Sequence, residues 1–88
     1  MEQTIVIQIP RQWLKGIPEE QVTLQQIFRL GLYQYKVERA LSLYQAGVGS
    51  LGYIAEQLGL SKRDLIREAR MRGIEPVSGE ETVQEELA

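Results

Sequence analysis

The sequence predicts a mainly α-helical fold in which an N-terminal β-strand precedes a long helix and a C-terminal helix-turn-helix. Three observations support this prediction. Apolar residues recur at helical spacing over residues 23–46, two short segments after them each begin at a serine and end at a glycine, and a single stretch near the N-terminus alternates like a strand. Because one strand cannot satisfy its own backbone groups, we also expect a dimer.

The composition excludes the commonest catalytic chemistries. The 88 residues include no histidine and no cysteine, so Ser-His-Asp and Cys-His nucleophiles, imidazole or thiolate zinc sites and disulfides are all excluded. A chain this short also has little interior in which carboxylates could shape a catalytic pocket. We therefore expect a protein that is not an enzyme and that uses no metal and no cofactor.

The small size gives a second reason to expect a homodimer. Area scaling indicates that folding buries only about 64% of the surface of the unfolded chain, and neither a disulfide nor a metal adds stability. No apolar run approaches the ~20 residues that span a bilayer, and no basic stretch precedes an apolar core at the N-terminus. We expect a cytoplasmic protein without membrane contact.

The N-terminal strand is predicted over residues 4–9, where three isoleucines alternate with other residues until Pro10 removes a backbone donor. In the connector that follows, Gly16 and Pro18 interrupt any helix, and Trp13 is expected to fill a small core. Residues 1–22 are thus predicted to be a strand and connector that serve dimerisation.

The long helix is predicted to begin at Thr23, which stands at capping-box spacing from Gln26, while Val22 and Ile27 occupy the positions of a hydrophobic staple. Its apolar belt extends to about Ala46 and exceeds one face. We expect it to cover the C-terminal helices on one side and a second subunit on the other. The pattern leaves open whether the strand, the long helix or both form the dimer.

Two short helices are predicted over residues 51–58 and 62–72, capped by Ser50 and Ser61 and ended by Gly59 and Gly73. A small residue, Ala55, stands where two steeply crossing helices would touch, and glycine occupies the turn between them. This spacing is typical of a helix-turn-helix, so residues 23–76 are predicted to be the long helix plus a helix-turn-helix.

The second short helix separates its charges by face. Steps of about 100° per residue place Arg63, Arg67 and Arg70 together, about 120° from the apolar face. In a DNA-binding helix-turn-helix, such a helix enters the major groove. Lys62 and Arg63 are predicted to contact base edges, Arg67 a base or a phosphate, and Arg70 and Arg72 phosphates. The backbone amide of Ser50 or Ser61, at a helix N-terminus, is a further predicted phosphate contact.

A second interpretation of the same residues stays open. Asp64 can pair with Arg67, and Glu68 with Arg72, so that the charges only solvate a surface helix. On this interpretation the helix-turn-helix is purely structural, and the protein is a protein-interaction adaptor.

The charge of the chain is unevenly distributed. Residues 1–72 carry +3 and residues 73–88 carry −5, although the sum is only −2. The acidic tail, residues 77–88, is either a solubilising terminus or a short amphipathic element that binds a basic partner. On the second interpretation the candidate partner-binding residues are Val83, Glu85, Glu86 and Leu87.

Residues 40–77 resemble a family of short, uncharacterised prokaryotic proteins that are regarded as antitoxin-like helix-turn-helix regulators. The shared motifs include Ser-Leu-Gly at 50–52, Gly-Leu-Ser at 59–61, and Arg-Gly-Ile at 72–74 followed by Pro-Val at 76–77. The sequence departs from the family pattern at two places. Glu75 is inserted between Ile74 and Pro76, and Lys62-Arg63 stands where the family more often has an arginine followed by an aromatic residue. The resemblance implies a regulator or an antitoxin that binds its own operator, and for an antitoxin it implies a small ribonuclease toxin as the partner. The acidic tail would then neutralise that toxin.

Overall fold

The computed structural model describes residues 3–76, which form three α-helices preceded by a short 3-10 helix. The 3-10 helix is Arg11–Leu14, and the α-helices are α1 (Gln21–Gln45), α2 (Leu51–Leu58) and α3 (Lys62–Met71). The mainly α prediction agrees with this architecture. None of the helices within this range combines the length and the hydrophobicity that crossing a membrane requires.

The predicted N-terminal strand is wrong. Residues 3–10 contain neither strand nor helix, and all of them are exposed, with Ile5 at 88% and Val6 at 92% exposure. The alternation of apolar residues favours an extended backbone, but a strand also needs a neighbour whose backbone groups complete its hydrogen bonds. No element within residues 3–76 supplies that neighbour.

The N-cap of the long helix lies three residues earlier than predicted. Glu20 is the N-cap residue and has an extended backbone, and no side chain caps the helix. Thr23 therefore lies inside the first turn, where its hydroxyl donates to Oε1 of Glu20 at 3.1 Å. The predicted capping box and staple are both wrong, since Val22 is 71% exposed.

The two short helices lie where the sequence predicts them. The hydroxyl oxygens of Ser50 and Ser61 accept hydrogen bonds from the backbone N–H groups of Tyr53 and Asp64, at 3.1 and 3.2 Å. Gly59 adopts φ +70°, a left-handed conformation that glycine reaches without strain. The second helix ends at Met71 instead of residue 72.

The core is small and is shared equally among the three helices. Each helix contributes one alanine and two larger apolar residues, and the small alanine side chains let the helices approach closely. The nine residues are Val37, Ala40 and Leu41 of α1, Leu51, Ile54 and Ala55 of α2, and Leu65, Ile66 and Ala69 of α3.

The N-terminal part of the chain lies outside this core. No residue in the range 3–36 is buried. Trp13 is 69% exposed, so the prediction that it fills a small core is wrong. The long helix does cover its own C-terminal helices, but only with its C-terminal half. The candidate partner-binding residues, Val83, Glu85, Glu86 and Leu87, lie outside the described residues.

Candidate nucleic-acid interface

The α3 helix holds an arginine-rich face towards solvent. Leu65 and Ala69, with exposures of 1% and 0%, anchor the opposite side of the helix in the core. Because these anchors fix the rotation of α3, the cationic side chains that follow the helical repeat must point outward. Arg63, Arg67 and Arg70 are accordingly exposed. We call these three residues the basic face.

The basic face surrounds an open depression of about 400 Å³. Arg63, Arg67 and Arg70 line it together with Ile66 and Met71. Met71 is 72% exposed and therefore places apolar surface among the three cations, whereas Ile66 is buried in the core. Met71 was not among the predicted site residues, although its position four residues after Arg67 places it one helical turn further along the same side.

Only weak pairing restrains the two leading arginines. The guanidinium of Arg67 lies 3.2 Å from Oδ1 of Asp64, but the two side chains are 58% and 40% exposed. An ion pair this exposed contributes about 0–1 kcal/mol, so a phosphate can readily replace the carboxylate. Within residues 3–76 the guanidinium of Arg63 forms no ion pair.

Arg72 occupies a different position. Its guanidinium donates to Oε1 of Glu68 at 2.8 Å and to Oε2 of Glu38 at 2.9 Å, and its side chain is only 30% exposed. Two carboxylates therefore hold Arg72 where the end of α3 meets α1. Sequence spacing reveals the Glu68 pair but not the Glu38 pair, which joins residues 34 positions apart.

Lys62 and Ser61 also serve the packing of the helices. The aliphatic part of Lys62 passes over α2 so closely that a Cβ added to Gly52 would lie 3.3 Å from its Cδ. Steps of about 100° likewise place Lys62 on the buried side of α3, away from Arg63. The hydroxyl of Ser61 is used as the helix cap. Three of the predicted contacts are thus brought together, while Lys62 and Arg72 lie elsewhere.

This surface offers positive charge and hydrogen-bond donors. Within residues 3–76 no three side chains of the metal-ligating types come together to hold an ion. Arginine guanidinium groups donate in a planar fork that fits a phosphate or the acceptor edge of guanine. Arg63 and Arg70 are seven residues apart, so the face extends over about 10 Å, close to three base-pair steps.

No protein-family model, curated protein or solved structure matches this chain.

Proposed function

We propose that this protein is a cytoplasmic DNA-binding regulator whose α2 and α3 act as a helix-turn-helix and whose α3 enters the major groove. The observation that carries the proposal is the basic face, three exposed arginines on a helix whose opposite side is fixed in the core. A helix with its side chains is about 10–12 Å across, which fits a major groove about 12 Å wide.

The geometry suggests a role for each member of the basic face. Arg63 lies in the first turn of α3 and donates to a base edge, because recognition helices present their N-terminal residues to the bases. Arg67 gives up its ion pair with Asp64 and contacts a base or a phosphate instead. Arg70 lies nearer the C-terminus of the helix and contacts a phosphate. Lys62 and Arg72 support the helices that hold this face.

Met71 adds an apolar contact to the same surface. Its exposed side chain borders the depression between the arginines. An apolar group at this place is suited to the C5-methyl group of thymine, which only the major groove displays.

We further propose that the regulator is the antitoxin of a toxin-antitoxin pair. The support is the net charge of −5 that residues 73–88 carry. Residues 77–88 lie outside the described range. A tail with this charge suits a cleft on a basic partner, which a small ribonuclease toxin could supply. The resemblance of residues 40–77 to antitoxin-like regulators points the same way.

DNA binding is tested by fluorescence anisotropy with the full chain and two labelled duplexes of equal length. One duplex is the region upstream of the coding sequence of the protein, and the other has a random sequence. The double variant Arg63→Ala/Arg67→Ala should lose about 2 kcal/mol or more of binding energy, roughly 30-fold in Kd. Its fold should persist, since surface substitutions change stability by only about 0.5 kcal/mol.

The matched control is Arg11→Ala/Lys15→Ala, which removes the same charge from exposed residues outside α3. It should weaken binding far less, because it lowers only the long-range field. For the wild type, log K should fall steeply as log salt rises, and this slope should flatten in the α3 variant alone. Equal losses in the two double variants would refute the groove model. Absence of salt-sensitive binding to either duplex would instead favour the adaptor.

A further inference from the structure

The N-terminal half of α1 carries an apolar face that the other described elements leave largely uncovered. Leu24, Ile27, Phe28, Leu32 and Tyr35 fall within one sector of the helix when residues are stepped by about 100°. Phe28 is 55% exposed and Tyr35 is 63% exposed. We call these five side chains the outer face of α1.

The outer face points away from the core. Val37, Ala40 and Leu41 mark the side on which α1 meets α2 and α3. The centre of the outer face lies about 160° around the helix from that side. Neither α2 nor α3 can therefore cover it.

The outer face is a bounded apolar patch, as interaction surfaces are. It extends about 17 Å along α1 from Leu24 to Tyr35. One turn later the same sector becomes polar, with Glu38, Arg39 and Ser42. A contiguous apolar patch with a polar rim marks a site of association, whereas scattered exposed apolar residues do not.

We propose that the outer face of α1 binds the outer face of a second copy of this chain, with the two helices antiparallel about a two-fold axis between Phe28 and Leu32. Charge complementarity favours a second copy of the chain as the partner and favours the antiparallel arrangement of the two helices. Arg39 then lies beside Glu20 of the partner subunit, and symmetry forms the same pair a second time. A parallel pair would instead oppose the two Arg39 side chains. Within residues 3–76 Arg39 forms no ion pair that would compete.

The available area fits a reversible dimer. The exposed parts of the outer face, among them Phe28 at 55% and Tyr35 at 63%, amount to about 450 Å² per copy. Two copies together reach about 900 Å², the size of a weak, transient interface. We expect a dissociation constant on the order of micromolar. The dimer does not depend on the proposed DNA binding, because the outer face and the basic face share no residue.

Sedimentation equilibrium of the full chain without DNA, over concentrations on both sides of the micromolar range, tests the dimer. The wild type should pass from monomer to dimer. Phe28→Glu places a charge at the centre of the interface and should raise the dissociation constant about 10-fold or more. The matched control, Gln26→Glu, adds the same charge to the same helix outside the outer face and should dimerise like the wild type. Circular dichroism should show unchanged helix content in both variants.

Charge reversal tests the direction. Arg39→Glu should weaken the dimer, and the double variant Arg39→Glu/Glu20→Arg should restore it. A wild type that stays monomeric throughout would overturn the proposal and would leave the outer face to a different protein. Equal dimerisation by Phe28→Glu and the wild type would overturn it as well.

Cysteine crosslinking tests the same arrangement independently. The chain has no cysteine, so an introduced thiol is unique, and a Cβ at Gly31 meets nothing within 4 Å. Gly31→Cys should form a disulfide-linked dimer under mild oxidation, whereas Gln26→Cys should not. An equal mixture of Leu24→Cys and Tyr35→Cys should crosslink mainly as heterodimers, because antiparallel helices place these positions opposite each other. Mainly homodimeric products would show parallel helices and refute the model.

Discussion

Replacing Leu65 with alanine tests whether the three helices share one core. Leu65 lies in α3 and is 1% exposed, while Met71 of the same helix is 72% exposed. Alanine removes three heavy atoms from either side chain and has slightly the better helix propensity in both places. The pair Leu65→Ala and Met71→Ala therefore differs mainly in burial.

The expected loss at Leu65 follows from the buried atoms. Removal of three carbons forfeits about 2.4 kcal/mol of transfer free energy, at about 0.8 kcal/mol per carbon. The cavity left among α1, α2 and α3 raises the total to about 3–4 kcal/mol. Met71→Ala should change the free energy of unfolding by less than about 0.5 kcal/mol. A chain of this length has about 4–13 kcal/mol of stability in all, so the first variant loses a large part of it.

Urea denaturation followed by circular dichroism, at one protein concentration for all variants, measures both free energies. A thermal melt should show Leu65→Ala at least about 12 °C below the wild type, since 1 kcal/mol shifts the Tm of a domain this size by about 4–8 °C. Equal destabilisation by the two variants would refute the core, and so would a loss below about 1 kcal/mol at Leu65.

Two further predictions concern the local chemistry of the helices. Gly59→Ala should destabilise by about 1 kcal/mol, because φ +70° strains any residue with a Cβ. Gly31→Ala should stabilise the monomer by about 0.5–1 kcal/mol, because this helical position is open within one chain. Urea denaturation of both, at a protein concentration that keeps the chain monomeric, should give opposite signs, and matching signs would contradict the reasoning. Ser61→Ala should lose about 1 kcal/mol, because the N–H of Asp64 loses its acceptor. Ser61→Asp should retain most of that stability in the same assay, and equal losses in the two variants would show that the cap contributes nothing.

The short helices were predictable because the signals that define them are local. Ser50 and Ser61 cap helices through atoms three residues away, and Gly59 ends a helix through its own backbone conformation. The start of α1 was predicted wrongly even so. Thr23 and Gln26 have capping spacing, but the extended backbone at Glu20 begins the helix earlier and places Thr23 inside it.

The sequence by itself determined the helical composition, the bounds of α2 to the residue and of α3 to within one, and the rotation of α3 that presents Arg63, Arg67 and Arg70 to solvent. Each of these depends on residues within two turns of one another, so that spacing along the chain is enough to reveal it. Only the tertiary structure decided what long-range neighbours control. It left residues 4–9 without a partner strand and Trp13 without a core. It also placed the Lys62 side chain next to Gly52 and formed the hydrogen bond from Arg72 to Glu38. A contact between distant segments depends on how the helices pack, and no local pattern in the sequence encodes that packing.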